Sequence, residues 1–390
     1  MIINYSFNNY CSFYGESEYS MEAAGGKVMK RYPDNYVSAG NGYHLLKTAV
    51  IAGENAGGKS NFIGSLRYLK SFFVQNDFVK AVRSFIHFGS FLQEKEPAQR
   101  FELSIIDENN TIYDYVLEIN EKGILKESLH KRSGKSGKPV LILNVDLTGN
   151  TAIIETITDN SQRTALKKTK QNLGLYVTKL ALIGQDDAAA FVMWMNKQLE
   201  AEIPADRNEY DTAQQEDSIR ILKDARYLDI FRMVDSSIVD IRIDDEKPFS
   251  KSTVIRKNKG GKKYERELQA DSAGVRDFFS WAIQLFRVVY ENRIILADEM
   301  DRVLNPILSS KVVAFINGKD HRGQFIFTTH NVLHLDLKIY MKEQIFFVTK
   351  DRDTLISELY SLADFPEVRY DITRIYEFYL KGILGGTSGE

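Results

Sequence analysis

Apolar and polar positions alternate with a period of two in RFELSIID, TIYDYVLEIN, GILKESLHKR, PVLILNVD and TAIIETI, with Asn, Gly and Lys between the runs. That period predicts half-buried strands joined by turns, a β-meander in the strand-rich first part of the chain. From about Ser161 to Asp235 the pattern lengthens to the helical one. AAAFVMWMNKQLEAE and EDSIRILKDARYLDIFRMV contain few turn residues and read as a helical insertion. The centre of this stretch, Glu200 to Asp217, carries seven acids against the single base Arg207, which predicts a solvated loop between helices. Strands return from Val239. Arg293 to Ala297 and Gln324 to Thr328 are short apolar runs of the kind given by parallel strands buried on both faces. The expected division is therefore residues 1–158, 159–236 for the insertion, and 237–390.

Composition narrows the class without deciding it. The 390 residues exceed one ordinary core, and 43% apolar with 27% charged content lies in the globular range. No apolar run approaches the roughly 20 residues that span a bilayer, and the start MIINYSFNNY lacks the basic-then-apolar order of a secretory signal, so a cytoplasmic location with no membrane contact is expected. Cys11 is the single cysteine; it excludes a disulfide framework or Cys-based zinc cluster within one chain and reads as a small buried residue. A net charge of −2 argues against a surface built throughout to grip a phosphate backbone. The basic stretches KRSGKSGK and RKNKGGKK lie between strand-like runs and read as hairpin tips.

The chemistry is concentrated in three places. In TAVIAGENAGGKSNFIGSLRYLKSFF, Gly53, Gly58, Lys59 and Ser60 follow the spacing G-x-x-x-x-G-K-S, after an apolar strand and before a helix whose Phe62, Leu66, Leu69 and Phe73 share one face. With glycine at roughly 7% of residues, this pattern arises by chance in about one chain of this length in a hundred. Such a loop, here Gly53, Glu54, Asn55, Ala56, Gly57, Gly58, Lys59, Ser60 and Asn61, turns backbone N–H groups toward phosphates at a helix N-terminus. Lys59 would reach the β- and γ-phosphates, and the Ser60 hydroxyl would face Mg²⁺. Gly134-Lys135-Ser136 repeats three of the letters with Leu129 where the first glycine belongs, and is read as a loop only.

The second place is RIILADE, an apolar strand delivering Asp298 and Glu299 at its C-terminal edge, where open α/β sheets bind ligands. Asp298 is expected as the Mg²⁺ partner and Glu299 as the base that polarises water. The third is QFIFTTHNVLHLD, which ends a strand on Thr328, Thr329 and His330, the last a candidate sensor of the γ-phosphate. His330 and His334 stand four apart, but a zincin needs Glu where this chain has Asn331, so zinc is not expected.

Between these halves, LQADSAGVRDFFSWAIQLF places Asp271, Ser272, Gly274 and Arg276 at the opening of a helix. It resembles the signature segment of ABC-type ATPases, which include SMC, RecF and OLD-like proteins, and the four motifs occur in the ABC order. The expected fold class is accordingly α/β, a P-loop NTPase of ABC ATPase type with a strand-rich N-terminal lobe and a helical insertion. NNYCSF, DEMDRVLNPIL and the stretch from EQIFFVTKDRD to YLKG further resemble the bacterial RloA/AbiLi-like (AAA_15/AAA_21) group linked to phage resistance. Cys11 stands where that group has a basic residue, and Asn305 where a histidine is expected. Gln93 and Gln99 are both candidates for the Q-loop, and Asp301 for the D-loop carboxylate.

The resemblance implies a homodimer or higher homo-oligomer in which ATP and Mg²⁺ are sandwiched between the P-loop of one copy and Ser272 and Gly274 of the other. Catalysis then rests on Lys59, Glu299 and His330. It also implies a role as sensor or regulator of a separate nuclease-like, RloB-like effector in antiviral defence. The alternative is a RecF- or SMC-like ATPase of DNA repair or chromosome maintenance, with nucleic acid as a further partner. About 60 residues follow His330, too few for an added Toprim nuclease, so an OLD-type nuclease is not expected in this polypeptide.

Overall fold

The computed structural model describes residues 1–74, 98–156, 161, 164, 166, 174–204, 216–371 and 375–385. Two large sheets organise them. The first has seven strands in the order β10-β9-β8-β7-β6-β1-β2: β1 Ile2–Asn8, β2 Ser17–Ser20, β6 Gln99–Ile106, β7 Ile112–Asn120, β8 Gly123–Arg132, β9 Val140–Asp146 and β10 Ile153–Thr156. The expected meander is its run from β6 to β10, each strand antiparallel to the next. Two smaller antiparallel units flank it in sequence, the pair β3 Tyr36–Gly40 with β4 Tyr43–Leu46, and the three-stranded β12 Ile238–Arg242, β13 Thr253–Lys257 and β14 Lys263–Glu267.

The second large sheet carries the candidate site. Its order is β11-β15-β16-β5-β17-β18, with β5 Thr48–Gly53, β11 Leu199–Pro204, β15 Ile294–Asp298, β16 Gln324–Thr329, β17 Ile345–Lys350 and β18 Ser357–Ser361. All neighbours are parallel except β18, which runs back along β17. The sheet is covered on both sides, so its strands read as unbroken apolar runs, yet the faces still alternate. Ala49, Ile51, Ile294, Leu296, Ile326, Phe346 and Val348 join one buried cluster. Val50, Ala52, Ile295, Ala297, Phe325, Phe327, Ile345 and Phe347 join the other.

Helices fill the two sides. α1 (Lys59–Val74) lies between the sheets and buries Phe62, Leu66, Leu69 and Phe73, the four positions whose spacing predicted its inner face. With it in the first cluster are residues of α2 (Tyr176–Leu182) and α3 (Asp186–Lys197). α4 (Glu216–Leu222), α5 (Ala225–Phe231), α6 (Ala273–Tyr290) and α7 (Pro306–Asn317) supply the second. Tyr227 of α5 donates its hydroxyl to Phe279 O of α6 at 2.8 Å.

The stretch expected as a helical insertion at 159–236 needs correction. Its helical pattern stops at Lys197, and Leu199–Pro204 becomes the edge strand β11, parallel to β15. Glu200, assigned from sequence to a solvated acidic loop, instead pairs with Arg287 of α6 at 3.1 Å. The free edge of β15 offers backbone partners that a local helical period cannot reveal, and tertiary pairing overrides propensity. The rest of that acidic run, 205–215, lies outside the described residues. Helices α2 and α3, before β11, pack with the meander, while α4 and α5, after it, pack on α6, so the segment contributes to both clusters.

One buried carboxylate ties these parts together. Glu127 on β8 accepts from the N–H groups of Tyr176 and Val177 at 2.7 and 3.0 Å, satisfying the open N-terminus of α2, and from Tyr115 Oη at 3.1 Å. Burial pushes its pKa up to about 7 from an ordinary 4.5, against the opposing pull of those donors and of Lys179. A group whose pKa is raised by folding stabilises fully below its unfolded pKa, and that contribution is lost as pH rises through the folded one. The loss amounts to about 3 kcal/mol between roughly pH 4.5 and 7. Thermal unfolding should accordingly show a midpoint that falls from pH 5 to pH 8, with this slope reduced in Glu127→Gln.

Candidate nucleotide site

The GENAGGKS loop leaves the end of β5, whose six residues are all buried, and enters α1 at Lys59. Two glycines are sterically required. A Cβ on Gly53 would sit 2.2 Å from Val348 O of β17, and one on Gly58, at φ +122°, would sit 2.6 Å from Ser357 Oγ. Ala56 adopts φ +60°, a left-handed conformation uncommon for alanine. The loop is held from beneath by residues far away in sequence. Ser357 Oγ donates to Gly57 O at 2.6 Å and lies 2.7 Å from Ser12 Oγ, which accepts from Asn61 Nδ2 at 2.7 Å. Ser12 belongs to the NNYCSF element, where sequence reasoning attended to Cys11; Ser357 gave no signal at all. Because Gly58 combines a positive φ with this contact, Gly58→Ala should weaken binding of a fluorescent ATP analogue by about tenfold or more, in line with about 1–3 kcal/mol of backbone strain.

β15 and β5 each pair with β16, so two strand spacings of about 4.8 Å separate the acidic strand end from the loop. Thr328 at the end of β16 sets the geometry there. Its Oγ1 donates to Asp298 Oδ1 at 2.6 Å and accepts from Glu299 N at 2.7 Å. Glu299 has left-handed φ +50° and ψ +54°, and its carboxylate pairs with the exposed Arg302 at 3.1 Å. Lys59 is buried, and its Nζ donates to Gly53 O at 2.8 Å and Glu54 O at 2.7 Å. Burial pushes the ammonium below the ordinary lysine value, while Asp298, Glu299 and Asp301 pull it back.

Asp301 holds the turn after β16. Its carboxylate accepts from Thr329 Oγ1 at 2.7 Å, His330 N at 2.5 Å and Asn331 N at 3.2 Å. His330 is exposed, and its pKa is lowered by desolvation and by Lys59. His334 turns away into the core, its two ring nitrogens 2.8 Å from Tyr340 Oη and 3.0 Å from Ser309 Oγ. Among the described residues no group of three or more His, Cys, Asp or Glu could hold a metal. Ser60, exposed at the start of α1, and Asp298 fit the other kind of site, in which one or two protein ligands share Mg²⁺ with phosphate oxygens.

Ser272 and Gly274 are exposed at the N-terminus of α6 and line a cavity of about 840 Å³ with Asn305; none of residues 53–61 lines it. Asn305 also caps α7, accepting from Ile307 N at 3.1 Å and Leu308 N at 3.0 Å. Of the Q-loop candidates, Gln93 is outside the described residues, and Gln99 is buried at the start of β6, donating to Asn9 O at 2.8 Å.

A largely parallel sheet with a glycine-rich loop leading into a helix, and acidic strand ends two strands away, makes this an α/β P-loop NTPase fold. The chain belongs to the family described as "AAA domain, putative AbiEii toxin, Type IV TA system", whose sequence profile matches residues 49–336. No curated protein matches the sequence. Among solved structures it is similar to the SMC head domain from Thermotoga maritima, at 14% identity and TM-score 0.42, over 92% of this chain and 98% of that one. It is also similar to an SMC head bound to the C-terminal winged-helix domain of ScpA, at 13% identity and TM-score 0.45, over 92% and 97%. An SMC head with an extended coiled coil, bound to the C-terminal domain of ScpA derived from Pyrococcus furiosus, matches at 13% identity and TM-score 0.45, over 92% and 96%. No helix among the described residues is long and apolar enough to cross a membrane.

Proposed function

We propose that this chain binds ATP with Mg²⁺ at the loop of residues 53–61, hydrolyses it only when two copies associate, and uses that cycle to control a separate effector in antiviral defence. The observation that carries the reading is the parallel pairing of both β15 and β5 with the strand between them, β16, so that Asp298 and Glu299 leave the same edge of the sheet as the loop that holds Lys59. Lys59 would exchange its bonds to Gly53 O and Glu54 O for phosphate oxygens, with Ser60 and Asp298 placing the metal. Bound Mg²⁺ would supply neutralisation of the charge developing on the phosphoryl oxygens. Glu299 would orient and deprotonate the attacking water, and His330 would hydrogen-bond the terminal phosphate.

Association enters because Ser272 and Gly274 line a cavity without loop residues, to which a second copy would bring its own loop. Ile307 and Leu333, exposed apolar side chains beside Asn305 and His330, suit a surface that becomes covered. Sedimentation with ATP and Mg²⁺ should show a larger species that is absent with ADP, and turnover per copy should rise with protein concentration. A rate per copy that stays constant over a hundredfold dilution would count against gating by association. The defence role is supported by the motif resemblance, and is tested by plating phage on cells carrying this gene with and without its neighbouring reading frame.

A further inference from the structure

We propose that Arg266 acts in trans, its guanidinium contacting the phosphates of a nucleoside triphosphate held by the 53–61 loop of a second copy of this chain. The inference rests on the two-copy reading above and adds to it a residue outside the signature segment. Arg266 lies on β14 and lines the 840 Å³ cavity at the N-terminus of α6 with Tyr264, Asp271, Ser272 and Gly274. Alternation along the strand puts Arg266 on the same face as Tyr264, which stands opposite Arg256 in the hairpin register.

The charges around that cavity separate into spent and unspent. Arg256 donates to Asp235 at 2.8 Å and to Asp271 at 2.7 Å, which occupies both aspartates of the lining. Glu265 is paired with Arg242 at 3.1 Å. Among the described residues Arg266 is the charged group of the lining left without a hydrogen bond or ion pair, on a strand whose five residues are all exposed. An anion arriving at Ser272 would meet the N-terminus of an 18-residue helix and, beside it, this unspent cation. A guanidinium stays charged at any working pH and presents several donors in one plane, which suits it to phosphate oxygens that gain charge during transfer.

Arg266 is solvent-exposed, so Arg266→Ala should keep the wild-type melting curve. Its ATP turnover should fall at least ~10²-fold while affinity for a non-hydrolysable analogue in dilute, monomeric solution stays within about twofold. Mixing Arg266→Ala with Lys59→Ala then decides between copies, since the mixed dimer holds one site with an intact loop from the first and an intact Arg266 from the second. Recovery of up to roughly a quarter of the wild-type rate, the statistical share of intact sites, is expected. A mixture no faster than its components, with wild-type turnover still dependent on concentration, overturns the role of Arg266 alone. Wild-type turnover independent of concentration overturns the two-copy reading and this inference with it.

Discussion

Glu299→Gln will bind ATP with near wild-type affinity and lose on the order of 10²- to 10⁴-fold in turnover, the range associated with removing a positioned general base. Glutamine keeps the size of the side chain but cannot take a proton. The local backbone should tolerate it, because what fixes position 299 is its own N–H, donating to Thr328 Oγ1 at 2.7 Å. Loss of the 3.1 Å pair with Arg302 costs little, because that partner is well exposed. With hydrolysis blocked and binding preserved, the ATP-bound assembly should accumulate and be visible by sedimentation. Wild-type turnover in this variant would remove Glu299 from the role of base.

Lys59→Ala should be the more damaging change, because it acts on binding. The buried ammonium donates to two loop carbonyls, and the charges of Asp298, Glu299 and Asp301 favour its protonated form. Without it, the triphosphate would approach Asp298, Glu299 and Asp301 with no compensating charge, and a lost charge-assisted contact in a partly desolvated site costs several kcal/mol. Affinity for ATP is expected to fall at least ~10²-fold, measured by calorimetric titration with Mg²⁺ present. The free protein should stay folded or gain stability, since a desolvated charge is removed. A variant that kept wild-type affinity would show that the loop amides alone hold the ligand.

Several expectations drawn from the sequence rest on local patterns and reappear as elements. The runs Arg293–Ala297 and Gln324–Thr328 are β15 and β16, offset by one residue at their ends, and the four-residue spacing in α1 marks the face it buries. β11 escaped notice because LEAEIP continues a helical period and becomes a strand only against the free edge of β15. Ser12 and Ser357, which brace the loop from positions 345 residues apart, could not be found by any spacing rule.

By itself the sequence determined the kind of loop and strand ends this protein carries. A glycine pattern before an amphipathic helix, and carboxylates at the end of an apolar strand, are constraints felt within a few neighbouring residues. Only the tertiary structure decided which of them meet. Strand pairing places β16 between β5 and β15, so that Thr328 aligns Asp298 with Glu299 and Asp301 grips the turn at His330. Among the described residues it also leaves Arg266 without a side-chain partner beside Ser272, because Arg256 has already taken both aspartates. Such assignments arise from competition among groups distant along the chain, which no local period encodes.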